Sequence, residues 1–242
     1  MSEIKLTKNS IENAILTDGK LVGGYVDGNG YISAKGNGTI VFGNSSNGGV
    51  IDVSGNGAIA MGYANNSSIN AIGDGAYAEG YAYHGNLNAS GNGAIAMGYA
   101  ISGTISATGH GAHAEGYIYD GTIEGSGIGS FSRGYAKLND SYPDIHSKIN
   151  ASGTASHAEG CAIGGLIDAS GYGAVAMGYA ELGTISATGH GAHAEGYANY
   201  GSLDASGWGA HAEGLNTKAL ANGAHAEGYK SIASGDYSHA EG

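Results

Sequence analysis

The sequence predicts an all-β fold, a parallel β-roll or β-solenoid of about twelve coils of 14–18 residues each. Three observations lead there. First, the motif Gly-x-Gly-Ala-x-Ala-x-Gly-Tyr-Ala returns about a dozen times, mostly every eighteen residues. Copies begin at 36, 55, 73, 91, 109, 127, 153, 171, 189, 207, 221 and 235. A repeat this short cannot bury a core alone and must stack on its neighbours. Second, apolar residues alternate with others at fixed phases, which argues for strands and against disorder. Third, glycine supplies 48 of 242 residues without a three-residue period and with a single proline, Pro143, which excludes collagen. Glycine every few residues, with no caps and no stripe of period 3.6, also excludes helix.

Taken along the chain, residues 1–30 repeat poorly and are expected to cap or attach the roll, while 31–242 form the repeat domain. A representative coil, residues 101 to 118, reads ISGTISATGHGAHAEGYI. Two alternating segments, TISAT and AHAEGY, are separated by glycine-containing turns and read as two short strands. Ile105 and Ala107 share one face of the first, and Ala112 and Ala114 one face of the second. Small residues kept at these phases suit the inside of a narrow roll, where opposed strands approach closely. The repeated glycines suit tight corners that need positive φ or leave no room for a Cβ. Parallel rungs about 4.8 Å apart would make a rod roughly 55–60 Å long, with an open edge at each end. Between the copies at 127 and 153 the spacing grows by eight residues, within KLNDSYPDIHSK, an insertion loop at 137–148. Loops on rigid scaffolds often carry binding functions, and Tyr142, Asp144, Ile145 and His146 are candidates for a receptor contact. A tolerated surface insertion is the plainer reading. The last two spacings are fourteen residues, as if one turn were shortened.

The outward slots of the second strand vary together. The first reads Ile59, Tyr77, Ile95, His113, Phe131, His157, Val175, His193, His211, His225 and His239 from 59 onward. Two residues later come Met61, Glu79, Met97, Glu115, Arg133, Glu159, Met177, Glu195, Glu213, Glu227 and Glu241. Every His is followed by Glu and every Ile or Val by an apolar residue, so the two side chains share an environment. Beside them runs a tyrosine column that includes Tyr63, Tyr99, Tyr117 and Tyr197, with Cys161 taking one of its places. An outward stripe of Ile, Met and Tyr would be a large exposed apolar patch unless it is buried between chains. The interface candidates are Ile59, Met61, Tyr63, Ile95, Met97, Tyr99, His113, Glu115, Tyr117, His193, Glu195, Tyr197, His211 and Glu213. The His-x-Glu pairs read as structural hydrogen bonding. A repeating ladder offers no unique closed set of ligands, so no metal site is expected, and nothing marks one copy as catalytic. His110 and His190 fall in turns and are expected to be exposed.

The net charge of −12, with nine basic residues, leaves no stripe to follow a phosphate backbone, so nucleic acid is not an expected partner. Solubility is the plain reading of this acidity. A single cysteine, Cys161, allows neither an internal disulfide nor a Cys-based zinc site. No run of eighteen apolar residues occurs, and no membrane insertion is expected.

The C-terminal copies NTKALANGAHAEGYKSIASGDYSHAEG resemble the fourteen-residue head repeats of YadA-like trimeric autotransporter adhesins, a repeat also found in phage tail-fibre and appendage proteins. The eighteen-residue copies look like the same coil with a longer turn, so the resemblance spans roughly residues 36 to 242. It implies a left-handed roll, three of which pack side by side as a homotrimer that binds host surfaces or matrix proteins or spaces other domains. The start MSEIKLTKNSIENAILTDGK lacks the apolar run of a secretory signal, and no heptad stalk or anchoring barrel is present. These departures favour a virion tail-fibre or appendage head, used in host attachment or as a rigid spacer. The alternative is a bacterial adhesin head at the cell surface. The expected partners are further copies of the chain and a cell-surface receptor, glycan or matrix protein. No cofactor and no enzymatic activity are expected. A tailspike hydrolase needs paired carboxylates in a groove, whereas the acidic residues here repeat regularly or scatter in turns. An ice-binding face would need a regular threonine array, and Thr104, Thr122 and Thr184 are too sporadic.

Overall fold

In each full coil a seven-residue strand and a strand of four or five residues alternate, as in Ile95–Ile101 and Thr104–Ala107. The structure, a computed structural model, describes residues 4–6, 15–17, 19–142 and 146–242. Among them the fold is all-β, a parallel β-solenoid of about twelve turns. Within each compact unit the strands of successive coils pair in parallel, so equal phases of the repeat lie side by side. Ile95 faces His113 and Tyr99 faces Tyr117 in the long strands, and Leu87 faces Ile105 in the short ones.

The chain divides into two compact units, Met1–Tyr119 and Asp120–Gly242. In the first, short strands from Tyr31–Ala34 to Thr104–Ala107 form one sheet and long strands from Lys20–Val26 to His113–Tyr119 form the other. Ile4–Leu6 runs antiparallel to Tyr31–Ala34, and Ile15–Thr17 antiparallel to Lys20–Val26. These two segments pair with strand edges that would otherwise be bare. The parallel ladder itself begins at Lys20–Val26, which pairs with Ile40–Ser46. In the second unit the short strands run from Gly121–Gly125 to Ile232–Ala233 and the long ones from Phe131–Lys137 to His239–Glu241.

The inward face is as the alternation predicts. Ile105, Ala107, Ala112 and Ala114 are fully buried, and so are their equivalents Ile69, Leu87, Ile149, Ile167, Ile185 and Leu203 on the short strands. One branched aliphatic per coil, set against alanines, fills the narrow space between the two sheets. The glycines divide by cause within one coil. Gly93 has φ +65° and open space where a Cβ would stand. Gly91 has no room, since its Cβ would lie 2.0 Å from the carbonyl oxygen of Gly109. Gly98 is not a corner residue. It lies inside the strand Ile95–Ile101 with φ +138°, and its Cβ would meet the Gly116 oxygen at 2.0 Å.

The insertion leaves the solenoid after Phe131–Lys137 and returns at Ser147–Ala151. Its base is tied by Ser147, whose hydroxyl donates to the Lys137 carbonyl and accepts from the Gly164 N–H at 2.7 Å. In the fourteen-residue coils the strands themselves shorten, to His225–Tyr229 and Lys218–Ala219. Where the preceding coil buries Leu203, the shorter one buries Thr217, whose hydroxyl donates to the Glu213 carbonyl at 3.1 Å.

Candidate functional site

Because the alanines of the long strand point inward, its first, third and fifth residues point outward and form three parallel columns. In the first unit Ile59, Tyr77, Ile95 and His113 make one column and Met61, Glu79, Met97 and Glu115 the next. Tyr63, Tyr81, Tyr99 and Tyr117 make the third. All are half-buried except Tyr117, which is exposed. The tyrosine rings stack at centroid separations of 5.0, 4.6 and 4.9 Å with planes within 14°. Adjacent rungs impose this spacing, and the stack holds each ring upright against its neighbour. At its start the Tyr63 hydroxyl accepts hydrogen bonds from Ser46 and Asn65, which lower its pKa. Desolvation within the stack raises that of Tyr81.

The coupling between the first two slots has a physical basis in this geometry. The Tyr77 hydroxyl donates to Glu79. Desolvation, then that bond, pushes Tyr77 up to about 12. His157 and Glu159 make the same kind of contact at 3.0 Å in the second unit. A donor in the first slot therefore meets a carboxylate in the second, and where the first slot is Ile or Val, methionine, or Phe42 after Ile40, replaces the carboxylate.

The remaining histidines behave differently. The rings of His193, His211 and His225 stack at 4.9 Å with planes within 9°, and His239 follows at 4.8 Å, turned by 63°. Their Nε2 atoms face Glu195, Glu213 and Glu227 at 3.3, 3.9 and 3.7 Å. The Nε2 atoms of His193, His211 and His225 are shielded from solvent and make no hydrogen bond. Hydrogen bonding between His and Glu thus holds at His157 and not along this stack, where ring stacking sets the imidazole positions. Desolvation, then the neighbouring His193 and His225, lowers the pKa of His211. Beyond it, ligand atoms of Glu227, His239 and Glu241 lie within 4.8 Å of one another. In the tyrosine column of this unit, Tyr179 and Tyr197 sit 5.2 Å apart at 49°, and the Tyr197 hydroxyl donates to Glu181 at 2.8 Å. Cys161 lies between Tyr135 and Tyr179, half-buried, with its thiol pushed up by desolvation.

Of the insertion candidates, Asp144 and Ile145 lie outside the described residues. Tyr142 is exposed and lies close to Tyr200, and His146 stands 3.9 Å from Asp120. His146 and Tyr200 line a shallow, open depression of about 290 Å³ with Leu166, Leu182 and Thr184. Sequence reading missed Tyr200, because no spacing along the chain relates it to the loop. It also missed the corner stack in which His190, exposed as expected, sits 6.1 Å from Tyr172 and 5.2 Å from Trp208.

Among the described residues no helix is long and apolar enough to cross a membrane. No protein-family model matches the chain, and no curated protein matches it.

Proposed function

We propose that this protein is a structural and adhesive fibre segment. In this reading three copies pack side by side through the outward columns of their long strands, forming a phage tail-fibre or appendage head that serves in host attachment or as a rigid spacer on the virion. The observation that carries the reading is the column set itself. A single chain leaves Ile59, Met61, Tyr63, Ile95, Met97 and Tyr99 half-buried in an apolar and aromatic stripe interrupted by Glu79. Stripes of this kind mark interfaces, and closed symmetry limits how copies can share one. Rungs that place Glu115, Glu195 and Glu213 in the same columns put a carboxylate beside each histidine, a polar pairing that suits a partly dry contact. A receptor, glycan or matrix protein would then meet the turns and the 137–148 insertion, where Tyr142, His146 and Tyr200 gather.

The test is the solution mass by light scattering. A mass three times the 23.9 kDa of one chain is the expected result. A monomer at all accessible concentrations would overturn the proposal and make the columns themselves the first surface to probe for a ligand.

A further inference from the structure

The geometry points to a binding site for a borderline divalent transition ion, of which zinc is the natural probe, centred on Glu227 with His239 and Glu241 and completed by His225. The argument begins with the stacked histidines. Parallel rungs bring the same two outward positions of successive coils together, so His225 and His239 flank the one carboxylate of Glu227. The Nε2 atom of His225 lies 3.7 Å from Glu227 Oε2, and that of His239 lies 3.9 Å from Glu227 Oε1. Neither separation is a hydrogen bond. Two ligands held by one zinc ion at bonds of about 2.0–2.2 Å and a tetrahedral angle stand about 3.4 Å apart. The two Glu227–histidine separations lie within a few tenths of an ångström of that spacing, and closing the whole set on one ion takes further side-chain rotation at His225 and Glu241. Glu241 brings a further carboxylate, and ligand atoms of Glu227, His239 and Glu241 already fall within 4.8 Å of one another.

A second observation is independent of that convergence. The Nε2 atom of His225 is shielded from water and has no hydrogen-bond partner, although its ring is locked in place against His211. An imidazole nitrogen aimed at a carboxylate, dry and unbonded, is a basic ligand held in position at no further ordering cost. The pair His157–Glu159, whose imidazole meets Phe131 edge-on at 4.9 Å and stacks on no other histidine, is the contrast within the same chain. Its neighbours in the column are Phe131 and Val175, and it closes directly to 3.0 Å. The sequence argued against a metal because a ladder offers no unique closed site. The structure supplies the uniqueness, since His239 alone turns out of the stack, by 63°, and reaches back to Glu227.

Two imidazoles and two carboxylates select zinc, nickel or cobalt over magnesium or calcium, which prefer an all-oxygen shell. In a single chain Glu213, Glu227 and Glu241 border an open trough of about 400 Å³, which leaves room for an ion and a bound water. The ligands stand in the outward columns proposed above as the contact between copies, but all four belong to one chain, so the count of bound zinc tests the site whether the chain is alone or assembled.

The experiment is equilibrium dialysis of the full chain without a polyhistidine tag against zinc, with the bound metal counted by mass spectrometry. One zinc ion per chain is expected, undiminished by excess magnesium, together with a zinc-dependent rise in Tm. Glu227→Gln keeps the size and shape of the side chain and is expected to lose that ion and the Tm rise. Glu159→Gln, at the closed pair, is expected to retain both. Cobalt in place of zinc should show the intense visible bands of four-coordinate geometry in the native chain and not in Glu227→Gln. Absence of zinc binding would overturn the inference, and so would binding that Glu227→Gln leaves intact.

Discussion

Replacing Gly98 by alanine separates the two reasons this chain uses glycine. The alanine Cβ would lie 2.0 Å from the Gly116 carbonyl oxygen, a full ångström inside the 3.0 Å below which real contacts do not occur. The obstacle is backbone in the next rung, so no side chain can swing away. The two rungs would have to splay, at a loss of roughly two ladder hydrogen bonds worth about 1 kcal/mol each. Holding alanine at φ +138° adds about 1–3 kcal/mol. The total is about 3–5 kcal/mol. Gly93 is the control in the same coil, with φ +65° and nothing within 4 Å of its Cβ position. There the left-handed conformation costs about 1–2 kcal/mol. A stiffer unfolded chain returns about 0.4–1 kcal/mol of that, leaving a net cost of about 0–1.6 kcal/mol. At about 2–4 °C per kcal/mol, Gly93→Ala should lower Tm by no more than about 6 °C and Gly98→Ala by about 6–20 °C. Thermal unfolding followed by circular dichroism measures both. Equal shifts would refute the claim that close approach between rungs, and not backbone conformation alone, holds Gly98 in the strand.

The paired outward slots give a second test. Met97→Glu alone places a carboxylate beside Ile95 and Tyr99, whereas Ile95→His with Met97→Glu recreates the rung found at His113 and Glu115. A double-mutant cycle by thermal unfolding should show a favourable coupling of about 0.5–3 kcal/mol, and additive single effects would refute shared environment as the cause of the switching. Ala155 occupies a corner that glycine fills in most coils and has φ +55°. Ala155→Gly should therefore stabilise the fold by about 0.5–1 kcal/mol, read as a rise in Tm. Asp204 lies on the outer face of Ser202–Ala205, where desolvation raises its pKa against a smaller opposing pull from Lys218. A carboxyl with a raised folded pKa holds its proton more tightly when folded, so stability falls as pH rises through its unfolded and then its folded pKa. Asp204→Asn should accordingly raise Tm at neutral pH and change it little at pH 3.

Much of the architecture is written in the sequence as phase. The alternation of Ile105, Ala107, Ala112 and Ala114 states which face is inward, and the structure buries all four. The outward columns are legible for the same reason, because a parallel ladder in register turns a spacing of eighteen residues into a contact. What depends on distance between rungs is not legible. Gly98 looks like any other glycine of the repeat until the Gly116 carbonyl is found where its Cβ would stand. The residue between the two corner glycines varies freely in sequence, yet Asn56 and Asp74 each accept a hydrogen bond from the backbone N–H one coil earlier, at 3.0 and 2.8 Å. The His-x-Glu pairs show the limit most clearly. Their pattern is the same at His157 and His225, but His157 meets Phe131 edge-on and closes on its carboxylate at 3.0 Å, while His225 lies face to face on His211 and stands 3.7 Å from its own.

The central claim is that the outward columns are buried between copies of the chain, and three of the four methionines, Met61, Met97 and Met177, stand in them. Their rates of oxidation to sulfoxide by dilute peroxide, read residue by residue by mass spectrometry, test that claim most directly. The account predicts that all three oxidise far more slowly in the native protein than in urea, and that Met97→Glu, by breaking the contact, speeds Met61 and Met177. Native rates equal to those of the unfolded chain would contradict it.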